Sequence, residues 1–189
     1  WHRSMGWRET GLPWVAPSPN LPTPESCIVY PGMVLLEGTN LSEGRGTTKP
    51  FEYFGAPYLN VQQLTEFLVQ EPLDGVTIRP CHFEPTFQKH AGAMCAGGQL
   101  HVTDPQTFQS VRTAVAILRA ARELAPQEFG WSEPPYEYEE DLMPIDMLWG
   151  HDGLRNGIDD GATVDEILEG VQEGLDAFGQ SVTSFLMYD

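Results

Sequence analysis

Five prolines fall between residues 13 and 24 (Pro13, Pro17, Pro19, Pro22 and Pro24), and they set the first limit on what this chain can fold into. Each lacks an amide donor and fixes φ, so the stretch can form neither a helix interior nor a central strand. Such a segment orders only by lying against the rest of the molecule. Glycine extends the constraint: 19 glycines and 16 prolines in 189 residues imply many turns and long shaped loops rather than a helical bundle. A core is still within reach. The chain is 41% hydrophobic and 11% aromatic, and a chain of this size buries roughly 70% of its unfolded surface in one domain. Residues 1–189 are therefore read as a single domain.

Charge is distributed unevenly. Residues 1–120 hold 10 acids and 8 bases, whereas residues 121–189 hold 17 acids and 2 bases, for a net charge of −17. A polyphosphate would be repelled by the C-terminal third and finds no basic stripe elsewhere, which argues against a nucleic-acid partner. An anionic membrane surface is disfavoured for the same reason, and no apolar run approaches the 18 or so residues that a membrane-spanning helix needs. The first eight residues carry no apolar signal core and no initiator Met, so the sequence reads as one entered in mid-course. Cys27, Cys81 and Cys95 form no framework spacing and read as free thiols in apolar or glycine-rich surroundings. A set drawn from Cys81, His82, His90, Cys95 and His101 matches no zinc pattern. No metal and no cofactor is expected.

Periodicity places the elements coarsely. Met33-Val34-Leu35-Leu36 reads as a short buried strand. Asn60 is positioned to cap a helix over residues 61–70, with Gln63 at the capping-box position and Val61, Leu64, Phe67 and Leu68 on one face. Val76-Thr77-Ile78 opens a second strand and residues 99–103 alternate as a third. Asp104-Pro105 marks a helix start, with Phe108, Val111, Val115 and Leu118 at helical spacing until Pro126. Pro144 to Trp149, closed by Gly150, suits a short helix. Thr163 and Glu166 make a capping box before the apolar stripe Ile167, Leu168, Val171, Leu175 and Phe178. The apolar end, residues 184–188, is expected to dock on the core. This order predicts an α+β fold: a small mixed β-sheet with packed helices and a long Pro/Gly-rich loop face.

One segment concentrates chemistry. Glu37-Gly38-Thr39-Asn40-Leu41-Ser42-Glu43-Gly44-Arg45-Gly46-Thr47-Thr48 carries two carboxylates, a guanidinium, an amide and four hydroxyls. Its glycines permit tight turns or close approach to a ligand. Thr39, Asn40, Ser42, Arg45 and Thr47 are groups that read sugar hydroxyls or grip a carboxylate. Glu37 and Glu43 suit glycoside chemistry, in which one acid protonates the leaving oxygen and the other stabilises or activates the attacking side. A self-bonded structural loop, with Arg45 paired to Glu37 or Glu43, fits the same residues. A P-loop does not, because no Gly-Lys-Thr or Gly-Lys-Ser ending follows. Asn20 is either a positioned polar group or a turn residue. His101 alternates with Leu100 and Val102 and faces either a cleft or solvent. Tyr136, Tyr138 and Trp131 either stack on sugar faces or pack beneath a proline-rich loop.

Residues 14–22, Tyr30-Pro31-Gly32, the unbroken run from Glu37 to Glu52, Gly55-Ala56-Pro57, residues 98–104 and the Leu186-Met187-Tyr188 ending together resemble the exo-β-N-acetylmuramidase (NamZ) family, formerly a domain of unknown function. The resemblance implies a secreted or periplasmic bacterial glycoside hydrolase of cell-wall recycling. It would remove N-acetylmuramic acid from the non-reducing end of peptidoglycan fragments, so the expected partner is a muropeptide or peptidoglycan-derived sugar. Members pair an N-terminal Rossmann-like domain with a smaller C-terminal domain around a cleft, and this chain resembles the C-terminal half, with the N-terminal domain as its second expected partner. Activity of this half alone is not expected. A cell-wall-sugar-binding or interdomain module is the alternative. The resemblance implies that Arg45 or Asn40 contacts the sugar, whose lactyl carboxylate suits an arginine, and that Glu37 or Glu43 is an acid/base or an anchor for Arg45. The Pro17–Asn20 and Glu37–Thr48 stretches are expected to converge into a shared rim facing the N-terminal domain.

Overall fold

A computed structural model describes residues 1–188. The chain begins with a 3₁₀ turn at Trp7–Thr10 and then runs without regular structure through the prolines. Trp14 ties this segment down, donating Nε1–H to the Pro22 carbonyl at 2.8 Å. Pro24, the last of the five prolines, is the first residue of helix α1 (Pro24–Met33), where its missing N–H costs nothing. Thr23 caps the helix by accepting from the Ser26 amide at 3.2 Å.

The expected strand at residues 33–36 is absent. Met33 ends α1 and Val34–Gly38 continue as a 3₁₀ turn, with Leu35 and Leu36 buried. A four-residue apolar run fits a buried helical turn as well as a strand; here the helix that Pro24 starts runs on into it.

The sheet is also differently built. Its strands are β1 (Tyr53–Ala56), β2 (Val76–Phe83) and β3 (Cys95–Val102), in the order β1-β3-β2. Both pairings are antiparallel, so the expected α+β class holds while the sheet is antiparallel rather than mixed. Gly97 and Gly98 lie opposite Gly55 and Phe54 in the register. A Cβ on Gly97 would stand 1.8 Å from the Phe54 carbonyl oxygen, so close backbone contact selects glycine there.

Among the described residues there are five further helices: α2 (Val61–Leu68), between β1 and β2, and, after β3, α3 (Ser110–Leu124), α4 (Pro144–Trp149), α5 (Gly153–Asp159) and α6 (Val164–Val182). Asn60 caps α2 as expected, with Oδ1 accepting from the Gln62 and Gln63 amides at 3.0 and 3.1 Å. Asp104 does not begin α3. It forms a turn with the Gln106 amide, and the helix starts six residues later. Helix α3 is the central pillar, with Ala114 to Leu118, Ala120 and Ala121 all buried. The core joins its inner face to Met33, Leu36, Leu41, Phe51, Phe54, Leu64, Ile145 and Leu154.

Thr163 and Glu166 form the expected capping box of α6. The stripe behind it outruns the core: Val164 and Ile167 are buried, but Leu175 and Phe178 are more than half exposed. The C-terminal residues Phe185 to Tyr188 do not dock on the core either. At 1.5 Å per residue, a 19-residue helix is about 28 Å long, and α3 and α5 reach only its first turns.

Helices α1 and α3 cross at Gly32, whose amide donates to Ser110 Oγ at 2.8 Å while that hydroxyl donates to the Val29 carbonyl at 2.6 Å. A Cβ on Gly32 would lie 2.0 Å from the Ser110 carbonyl oxygen. Gly32→Ala is therefore expected to destabilise the fold by about 1–3 kcal/mol through overpacking, read as a lower urea midpoint at unchanged slope.

Candidate functional site

The Glu37–Thr48 segment leaves the 3₁₀ turn and is fastened to the sheet edge by a reciprocal backbone pair between Ser42 and Gly55, at 2.9 and 3.1 Å. Two left-handed glycines shape it, Gly44 (φ +78°) and Gly46 (φ +81°). A Cβ on Gly46 would meet the Phe87 carbonyl oxygen at 2.6 Å, because the loop between β2 and β3 crosses directly over it. That crossing is bonded: both the amide and the hydroxyl of Thr86 donate to the Gly46 carbonyl at 2.9 Å.

Lys89, on the crossing loop, is the central fastening. Its ammonium donates to the carbonyls of Leu36 (2.8 Å) and Leu41 (2.9 Å) and to Glu43 Oε2 (2.9 Å), one acceptor for each of its three protons. Glu43 is 2% exposed. Its other oxygen faces Arg45 Nε at 3.4 Å. Arg45 in turn donates from Nη2 to Glu37 Oε1 at 2.6 Å and lies over the Phe51 ring, 5.3 Å from its centroid. The second oxygen of Glu37 accepts from the Tyr136 hydroxyl at 2.7 Å. A relay thus runs Lys89–Glu43–Arg45–Glu37–Tyr136, two cations alternating with two anions and ending on a phenol.

These groups line an open cleft of about 460 Å³ together with Gln88, Ser132 and Glu137. A larger cleft of about 800 Å³ lies between the N-terminal segment and α1, but its walls are mainly apolar, among them Trp7, Trp14, Ile28 and Val102. The smaller one is the candidate site because the charged relay opens into it.

Backbone strain gathers at the same place. The non-glycine residues with positive φ among those described are Phe51 (64°), Gln88 (69°), His90 (58°) and Glu137 (52°). Phe51 supports Arg45, Gln88 and His90 flank Lys89, and Glu137 follows Tyr136. Left-handed conformations at bulky residues persist only where the surroundings enforce them, and they favour functional sites.

The other sequence candidates sort themselves by geometry. Asn40 is a brace behind the cleft: its amide donates to the Glu128 carbonyl (2.7 Å), its Oδ1 accepts from the Tyr58 hydroxyl (2.6 Å), and its carbonyl accepts from His90 Nε2 (2.7 Å). The Thr39, Ser42 and Thr47 hydroxyls are spent inside the loop, on Leu36, Gly44 and Lys49 among others. Asn20 bonds through its backbone to Ser18 Oγ, and His101 stands exposed on β3 beside a separate cleft with Lys49 and Glu52. No residue of 17–20 lines the relay's cleft. The expected shared rim is therefore not formed: the N-terminal segment is held beside α1 by the bond from Trp14 to Pro22 and the ion pair of Arg8 with Glu25, while the opposing wall comes from residues 132–137. Lys89 was not anticipated; that it is one of only two lysines in the chain was the available signal. Tyr136 sits at the end of the relay, whereas Tyr138 is fully exposed and Trp131 bonds Asp159.

The sequence profile described as "Exo-beta-N-acetylmuramidase NamZ, C-terminal" matches residues 28–188. The chain belongs to the NamZ C-terminal family. A peptidoglycan β-N-acetylmuramidase NamZ of Bacillus subtilis (strain 168) is 41% identical over 188 residues, covering all of this chain and 44% of that protein. Two crystal structures of DUF1343 family proteins from Bacteroides fragilis share the fold at 23% identity. One gives a TM-score of 0.86 over the whole chain and 49% of its own length; the other gives 0.63 over 92% of this chain and 44% of its own. The chain thus spans about half the length of the relatives it matches.

Electrostatics in this NamZ-family site follow from burial and pairing. Burial lowers the Lys89 pKa, with Glu43 opposing the shift. For Arg45 burial acts downward too, but the bonds to Glu37 and the field of Glu43 outweigh it and raise the pKa. Burial, reinforced by the bond to Glu37, raises the Tyr136 phenol well above its usual range, and burial does the same to Tyr58. The thiols are free, and burial pushes Cys95 up to about 11. Among the described residues no group of three His, Cys, Asp or Glu side chains is placed to hold a metal ion, and no helix is long and apolar enough to cross a membrane.

Two outcomes are expected. Lys89→Met leaves Glu43 buried with one cation fewer and should cost about 3 kcal/mol, while adding Glu43→Gln should recover most of that, measured by chemical denaturation of both variants. A tyrosine whose folded pKa is raised favours the folded state fully below about pH 10, and that contribution is lost as pH rises through the folded value. Stability should therefore fall with pH above about 10, and less steeply in Tyr136→Phe.

Proposed function

We propose that this chain is the C-terminal domain of a bacterial exo-β-N-acetylmuramidase, acting on the non-reducing-end N-acetylmuramic acid of peptidoglycan fragments outside the cytoplasm, in cell-wall recycling. The observation that carries the reading is the 41% identity, along essentially the whole chain, to a peptidoglycan β-N-acetylmuramidase. The relay gives it chemical content. Arg45 reaches the cleft with its side chain 24% exposed, and its Nη1 makes no hydrogen bond among the described residues. A guanidinium held flat by Glu37, Glu43 and Phe51, with one N–H edge left over, suits the lactyl carboxylate that distinguishes a muramyl sugar.

The two acids divide by depth. Glu43 faces a cation on each oxygen and is buried, so it anchors Lys89 and Arg45. Glu37, 15% exposed and fixed by Arg45 and Tyr136, is the acid placed to touch substrate. Both carboxylates already accept from neighbouring donors, which suits holding charge and position more than delivering a proton. The role proposed for residues 1–189, read as one domain, is to bind and orient the muramyl end while the remainder of a full-length hydrolase completes the reaction.

The test is made in a chain of the relatives' full length, on a chromogenic β-N-acetylmuramide and on the matching N-acetylglucosaminide. Losing a charge-assisted contact is worth roughly 10- to 100-fold, so Arg45→Ala should lower kcat/KM by that factor on the muramide, mainly through KM. The sugar lacking the lactyl acid should be much less affected. Equal losses on both would assign Arg45 to loop structure rather than to substrate recognition.

A further inference from the structure

The projecting half of α6 is unlike the rest of the surface. Val164, Leu168, Val171, Leu175, Phe178 and Val182 recur at alternating spacings of four and three residues, the a/d seam of a helix that packs against another helix. Only the first two find partners in the core. Leu175 is 58% and Phe178 64% exposed, and the tail beyond adds Phe185 at 80% and Met187 at 82%. Beside the seam run Gly170, Gly174, Ala177 and Ser181, and a Cβ on either glycine would meet nothing within 4 Å. Glycine disfavours an exposed helix interior, and nothing among the described residues packs on Gly170 or Gly174; a closely approaching backbone would. Of the acids of α6, Glu166 and Glu173 lie opposite the seam and Glu169 and Asp176 next to them, while Asp165, at the seam's edge in the first turn, is paired with Arg112.

We infer that this face is a self-association surface, on which α6 of a second copy packs antiparallel about Leu175. The seam is its own complement. Centred on Leu175, it sets large Phe178 against small Val171, and Val182 against Leu168. The same operation carries the partner's apolar tail back over the first half of α6. There a groove of about 520 Å³, lined by Leu35, Leu148, Trp149, Leu168 and Val171, lies open. Trp149 Nε1 in that wall is buried with no acceptor among the described residues, a donor left for an incoming carbonyl. Knob and hole on one chain are what a two-fold contact requires. The exposed apolar side chains of seam and tail amount to roughly 700 Å² per copy, close to the 800 Å² typical of a specific interface. The inference stands apart from the muramidase reading and uses none of its residues.

Sedimentation equilibrium of the purified chain at about 100 µM should show a species of about 42 kDa, twice the 21.0 kDa of one copy. With −17 on each copy, the dimer fraction should rise with salt as repulsion is screened. Leu175→Glu and Leu175→Lys, each alone, should weaken association by at least about 10-fold with unchanged helical circular dichroism, and an equimolar mixture of the two should restore it, because residue 175 faces its own counterpart. A monomer at all salt concentrations overturns the inference, including one whose α6 is instead covered by the other half of a full-length relative. So does a dimer that survives Leu175→Glu, or a mixture that fails to associate.

Discussion

A single half-buried ammonium organises the part of this molecule that can do chemistry. Lys89 spends one proton on the Leu36 carbonyl just before the Glu37–Thr48 segment and the other two inside it, on the Leu41 carbonyl and on Glu43. A loop built from glycine, serine and threonine has little apolar surface with which to hold a shape. A cation drawn down from an overlying strand connection supplies what burial cannot. Its desolvation is offset only because Glu43 is buried beside it, and Glu43 in turn fixes Arg45.

The strain pattern belongs to the same arrangement. Gln88 and His90 adopt left-handed conformations on either side of Lys89, and the bond from His90 to the Asn40 carbonyl helps to hold that kink in place. Asn40 is itself pinned by Tyr58 and by the Glu128 carbonyl, so the brace extends from the sheet connection through the loop to the segment after α3. Four stretches far apart in sequence therefore converge on one cleft. The arrangement resembles a preorganised binding wall: charges fixed before a ligand arrives lose little entropy on binding it.

Much of this was legible in the sequence, for identifiable reasons. Asn60, Thr163 with Glu166, and Pro144 with Gly150 announced their helices because capping is local chemistry, decided by side chains within a turn of the backbone they satisfy. The chemistry-bearing loop was legible from its composition and from its likeness to the NamZ family. What misled was the short apolar run at residues 33–36, where strand and helical turn share one pattern and only the helix begun at Pro24 decides between them. The α6 stripe misled in the other direction: periodicity reports that a face is apolar, not that the chain itself will cover it.

The residues of the Glu37–Thr48 segment, and the family they mark, were determined by the sequence, since composition, glycine placement and an ungapped motif need no third dimension. The identity of Arg45's partners, the arrival of Lys89 from 40 or more residues away, and the use of Tyr136 rather than Asn20 or His101 were decided by the tertiary structure. The physical reason is that ion pairs and hydrogen bonds act over about 3 Å, and which groups come that close depends on how the connection between β2 and β3 crosses the loop.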